Sequence, residues 1–130
     1  MSYTINASIK QSIEPAIEIL KEVCMNHKLG IVSDIDVQAT IKNKLGEEIS
    51  PYRILGACNP GLAKRLIEAE PKSGALLPCT VVAREEDGTT HFHFMAPEAV
   101  LGLEDNAIVK AIAKEAAEHI NAVANELNAK

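Results

Sequence analysis

The sequence predicts an α+β domain: one mixed or mostly antiparallel sheet with helices packed on one face and a long helix at the C-terminus. Two patterns carry this. Apolar residues alternate with period two or recur at helical spacing in the order strand, helix, strand, short helix, strand, helix, hairpin, long helix. Asp87-Gly88 also stands between two strand-like runs, "CTVVAREE" and "TTHFHFM", which marks a two-residue type I′ hairpin. At 130 residues the chain has the length of a single domain, spanning residues 1–130, and can build one real core.

The elements follow in order. "SYTINASI" alternates Tyr3, Ile5 and Ala7 against polar neighbours, as a half-buried strand does. Ile13, Ala16, Ile17, Leu20, Val23 and Cys24 then form a helical stripe opposed by Glu14, Glu18, Lys21 and Glu22. Ser12 is expected to cap this helix, Pro15 fits its first turn, and Gly30 is expected to stop it. His27 and Lys28 would sit in its last turn, complementing the carbonyl end of the dipole. "GIVSDIDV" reads as a strand, and Asp36 caps a short helix, "VQATIKNKL", closed by Gly46 at C′. Asp34 and Asp36 together suit the start of a helix and are assigned to capping and dipole interactions rather than to catalysis. Pro51 leads into the strand "YRILGAC". Asn59 is the N-cap and Pro60 the first helical position, so "GLAKRLIEAE" is expected to be a helix, ended by "PKSG".

The hairpin can be registered by counting outward from its turn. Glu86 faces Thr89, Ala83 faces Phe92, and Val81 faces Phe94. Cys79 joins the apolar side of this hairpin; Arg84, His91, Val82 and His93 share the other side. "PEAVLG" makes a short helical turn. From about Glu104 to Leu127 a long helix carries Ile108, Ile112, Ala116, Ile120, Val123 and Leu127 along one side. It would span roughly 36 Å, enough to cover the sheet and also to meet a second subunit.

Composition narrows the function classes. Net charge is −5, and lysines and arginines are scattered among acids, so no basic face suited to nucleic acid is expected. No run approaches the roughly 18 apolar residues of a membrane span. The N-terminus has no charged region followed by an apolar run, so a soluble, cytoplasmic protein is expected. Cys24, Cys58 and Cys79 are odd in number and widely spaced, unlike a disulfide framework or zinc ribbon, and are expected to be free thiols. Aromatic residues make up only 3% of the chain, which favours an aliphatic core.

"DIDVQATIKNKLG", "PYRILGACNP", "AEPKSGALLPC" and the final Ala-rich helix resemble the domain of unknown function 302 family, from about Gly30 to Leu127. The resemblance implies a helix-covered sheet, related in outline to the TATA-binding-protein-like fold, and a homodimer. It implies no activity, and the fold likeness does not imply DNA binding. His91 and His93 lie outside the shared pattern.

Cys58 is the sharpest candidate for chemistry. It precedes the cap Asn59, where the free N–H groups of a helix start would stabilise a thiolate. The competing reading is a small apolar plug at a crowded strand end. Gly56 on the same face would permit close approach of a ligand or of another backbone. Arg53, at odd spacing, points to the other face. Cys79 accompanies Cys58 in the family pattern, so the binding candidates are Cys58, Asn59 and Cys79, although the hairpin register gives Cys79 a core setting. Cys24 belongs to a packing stripe. His91 and His93 share a face but lack a third ligand, so no metal site is assigned. His119 reads as a surface or interface histidine. No phosphate loop or Ser/His/Asp pattern stands out. Three functional readings follow, with no cofactor specified. The leading one is a dimeric, non-enzymatic domain binding a small ligand or a protein partner. The others are a thiol-dependent redox or sulfur-handling protein using Cys58, with or without Cys79, and a metal-binding protein.

Overall fold

The computed structural model describes residues 2–130. Five antiparallel strands form one sheet in the order β1-β5-β4-β3-β2: β1 (Thr4–Ile9), β2 (Gly30–Asp36), β3 (Tyr52–Cys58), β4 (Cys79–Glu86) and β5 (Thr89–Met95). Five α-helices connect them or follow them: α1 (Ile13–Asn26), α2 (Val37–Leu45), α3 (Pro60–Ala69), α4 (Pro97–Val100) and α5 (Ala107–Asn128). Tight 3₁₀ turns occupy Pro71–Leu76 and Leu101–Leu103.

The hairpin pairs as its turn dictates, with Glu86 opposite Thr89, Ala83 opposite Phe92 and Val81 opposite Phe94. Asp87 and Gly88 both take positive φ, as a type I′ turn requires. One face of the sheet presents Ala7, Ile9, Leu55, Ala57, Val81, Ala83, Phe92 and Phe94 to α1 and α5, whose Ile17, Leu20, Val23, Ile120, Val123 and Leu127 complete the main core. All six residues of the predicted α1 stripe are buried. A smaller cluster of Leu66, Leu101, Val109, Ile112 and Ala113 joins α3 to the first half of α5.

Several local expectations are corrected. Ser12 stands at the N-cap of α1 but its hydroxyl makes no cap bond; Ile13 N–H donates instead to Glu85 Oε1 at 2.8 Å. A longer carboxylate arriving from β4 replaces the local cap. Helix α1 ends at Asn26, His27 lies at the C-cap and Lys28 takes a left-handed conformation, while Gly30, expected to stop the helix, opens β2 instead. Helix α5 starts at the Asn106 cap, whose Oδ1 accepts from Ile108 N and Val109 N. Its buried stripe therefore runs through Val109 and Ala113, and Ile108 is exposed.

Asp34 is no cap. It pairs with Arg53 from the neighbouring strand, Arg53 Nε donating to Asp34 Oδ1 at 2.8 Å and Nη2 to Oδ2. Arg53 Nη1 also donates to Glu14 Oε1 of α1 at 2.8 Å. The guanidinium thus ties the β2–β3 pair to the helix layer. It holds the Asp34 carboxyl below its ordinary range, mainly through their hydrogen bond and against some desolvation.

Gly56 is the tightest position in the sheet. A Cβ there would lie 2.5 Å from Pro78 Cγ and 2.5 Å from Ser33 Oγ, so only glycine lets these groups close over β3.

Candidate functional site

Three segments meet where β3 hands over to α3. Asn59 caps α3 as its sequence position predicts: Oδ1 accepts from Leu62 N at 3.1 Å. Its Nδ2 donates to Lys28 O at 3.1 Å, fastening the cap to the turn before β2. Ala63 N–H donates to Asn59 O at 2.9 Å. Pro60 has no N–H, so Gly61 N–H is the first-turn amide left without an acceptor among the described residues. Cys58, half-buried, sits one residue before this cap.

Cys79 opens β4, with Ala57 directly opposite it across the sheet. Cys58 is one register step further on, at the end of β3. Both thiols are free and both line one narrow cleft between α3, α5 and the end of the sheet. Leu62 and Leu66 of α3, Ile112 and Ala116 of α5, and Leu77 enclose it. The cleft, partly open to solvent, has a volume of about 30 Å³, room for about two water-sized groups. Among its lining residues only Asn59 carries an amide and only the two cysteines carry thiols; there is no carboxylate, imidazole or amine.

That environment governs the sulfur chemistry. Burial pushes the Cys79 thiol up to about 11, and the nearby Cys58 adds to the rise. Cys24, deep in the α1 stripe, is pushed up to about 12 by burial alone. Both are protonated at neutral pH, and thiols in that state are poor nucleophiles.

The structure brings together the three predicted binding residues Cys58, Asn59 and Cys79, and separates them from the histidines. His91 and His93 lie on the opposite face. Ser8 Oγ and His91 Nδ1 are 2.8 Å apart. His93 Nδ1–H donates to Asn6 Oδ1 at 2.7 Å, and Arg84 Nε donates to His93 Nε2 at 3.0 Å. With both ring nitrogens engaged, His93 has no lone pair to offer a metal. His119 Nδ1 lies 3.0 Å from His27 O. Among the described residues, no three His, Cys, Asp or Glu side chains are grouped to hold a metal ion, and no helix is long and apolar enough to cross a membrane.

The sequence reading missed the cleft's aliphatic walls. Leu62 and Leu66 stand four apart on α3, and Ile112 and Ala116 stand four apart on α5, so each pair was visible as a helix stripe. That the two stripes face each other over the thiols depends on long-range packing.

Comparisons with known proteins agree with this architecture. A crystal structure titled as an uncharacterized conserved protein DUF302 from Bacillus stearothermophilus superposes with a TM-score of 0.90 at 24% identity, over 98% of this chain and 99% of that one. At that identity the likeness speaks for the fold alone. No curated protein matches the chain. The family model described as "Domain of unknown function DUF302" matches residues 5–127, nearly the whole length that the fold occupies. The chain belongs to the DUF302 family.

Proposed function

We propose that this protein is a non-enzymatic binding domain whose cleft between α3 and α5 receives a small apolar group, with Cys58 and Cys79 in contact with it and Asn59 holding the rim. The apolar lining is the observation that carries this reading. Nucleophilic thiol catalysis calls for a base or a cation beside the sulfur, and the lining contains neither. A small, aliphatic cleft of this size suits an apolar group of about two heavy atoms instead. Helix α3 is the wall that can yield, because Leu66 is its one fully buried side chain. A protein partner is the weaker form of the reading, since the cleft is narrow and recessed.

The test is a titration with dissolved ethane followed by backbone amide shifts. Saturable changes centred on Leu62, Leu66 and Ile112 are expected. Small, unsaturable changes spread over the surface would overturn the assignment.

The reading includes a cytoplasmic homodimer without nucleic-acid partners. Light scattering should give twice the 14.0 kDa chain mass; the single-chain mass at all accessible concentrations would remove the dimer. A second reading, favoured by the convergence of two free thiols on one cleft, is a redox or sulfur-handling role for Cys58 with Cys79. It requires Cys58 to react with iodoacetamide near neutral pH faster than an unstructured cysteine. A slower reaction would discard it.

A further inference from the structure

The sheet face turned away from α1 and α5 holds a second concavity, independent of the cleft and of the reading built on it. Register sets Ile35, Ile54, Val82, His93 and Asn6 in one row across all five strands. Over the middle of this face lies a trough of about 550 Å³, within the roughly 300–1,000 Å³ typical of small-molecule sites. Val82 and Met95 contribute its apolar surface, and Thr4, Thr80 and Asn6 its small polar groups.

Two features give the trough a chemical preference. The first is where the aromatics go. Phe92 and Phe94 are fully buried in the core, whereas both tyrosines, Tyr3 and Tyr52, line the trough. Tyr3 keeps 75% of its surface exposed, an aromatic ring beside an open depression. The second is the polarity of the hydrogen-bonding groups. His93 Nδ1–H donates to the carbonyl of Asn6, which turns the Asn6 NH₂, unpartnered among the described residues, toward an occupant. Arg84 Nε occupies the single acceptor nitrogen of His93. Arg84 Nη1 donates to Glu86 Oε2 at 2.9 Å, and Nη2 has no partner among the described residues. The chain carries 18 acidic residues, but none lines the trough. The His93 acceptor is consumed internally, and the Asn6 NH₂ and the hydroxyls of Thr4 and Thr80 remain; the Arg84 guanidinium stands beside the lining, bonded to His93 and Glu86, with its Nη2 edge free.

We infer that this trough binds a small planar ring bearing a carboxylate, the ring lying against the tyrosines and Val82 and the carboxylate meeting Asn6 NH₂ and Arg84. Aromatic faces attract a flat ring, and a lining without carboxylates, bordered by the free Nη2 edge of Arg84, attracts a carboxylate.

Benzoate is the probe, followed by amide and tyrosine-ring resonances of the intact protein. Saturable shifts are expected at Thr4, Asn6, Thr80 and Val82. Affinity should fall roughly tenfold when benzamide replaces benzoate, and by a similar factor in Arg84→Gln, because each removes a charge-assisted contact. Tyr52→Ala should weaken benzoate and benzamide alike. The benzamide comparison uses the unaltered chain, so it stands even if a variant folds poorly. Equal shifts from benzoate and benzamide, shifts centred on the α3–α5 cleft, or no saturable shift would each overturn the inference. A dimer whose Thr80 and Val82 amides are protected and indifferent to benzoate would do so as well, by showing a second copy on this face.

Discussion

Replacing Gly56 with alanine tests the packing at the heart of the sheet. The new Cβ would stand 2.5 Å from Pro78 Cγ, 2.5 Å from Ser33 Oγ and 3.2 Å from Pro78 Cβ. Serine can rotate away, but a proline ring cannot, so Pro78 or strand β3 must shift. Overpacking of this kind costs about 1–3 kcal/mol. Alanine in a strand recovers about 0.5–1 kcal/mol of backbone entropy relative to glycine. The clash wins, and Gly56→Ala should lose about 1–2 kcal/mol, with Tm falling by roughly 5 °C or more. Gly74→Ala is the control: its φ is not positive and a Cβ there meets nothing within 4 Å, so the change should stay within about 0.5 kcal/mol. Urea unfolding of both variants gives the answer. A Gly56→Ala protein as stable as the parent would refute the closure of Pro78 and Ser33 over β3.

Other outcomes follow from the same geometry. Arg53 depresses the Asp34 carboxyl below its ordinary value of 3.8, so the pair's contribution is complete above that value and is lost as pH falls through the lower folded-state value. Asp34→Asn should cost about 0.5–1 kcal/mol at neutral pH, since the pair is partly open to solvent, and the gap in urea midpoint between variant and parent should narrow below about pH 4; a gap independent of pH would contradict the ion pair. Asn59→Ala removes the α3 cap and should cost about 1 kcal/mol by thermal unfolding; no loss would mean the cap is redundant. Among the three thiols, Cys58 should be alkylated first under mass-resolved labelling. Cys79 and Cys24 should lag, because burial raises them to about 11 and about 12. Labelling of Cys24 at the rate of Cys58 would contradict the packing of α1.

The parts of the fold legible in the sequence are those fixed by short-range rules. Asp87-Gly88 sets the β4–β5 register because only a few residues adopt two successive positive φ angles. The α1 stripe is legible because its apolar residues keep helical spacing from Ile13 to Cys24. Asn59 and Asp36 are legible as caps because a short polar side chain reaches the amide three residues on. The misses are competitions decided at long range. Glu85, 72 residues away, serves the first amide of α1, at Ile13, while the Ser12 hydroxyl makes no cap bond. Asp34 finds Arg53 across the β2–β3 pairing, which no local pattern specifies. Ile108 looked like part of the α5 stripe until Asn106 fixed where the helix begins.

The candidate site divides in the same way. The placement of Cys58 before a helix cap could be read directly, while its convergence with Cys79 needed the β3–β4 register and the packing of α3 on α5. The trough was invisible as a site because its lining comes from four strands, β1, β3, β4 and β5, contributed by distant parts of the chain.

The central claim, that the space beside Cys58 and Cys79 accepts an apolar guest, is tested most directly by diffraction from crystals held under xenon pressure. Xenon enters dry, aliphatic cavities. A xenon atom bounded by Leu62, Leu66 and Ile112, within contact of the two sulfurs, is the predicted result. Ordered water there, or a cleft closed to xenon while sites elsewhere in the molecule fill, would contradict it.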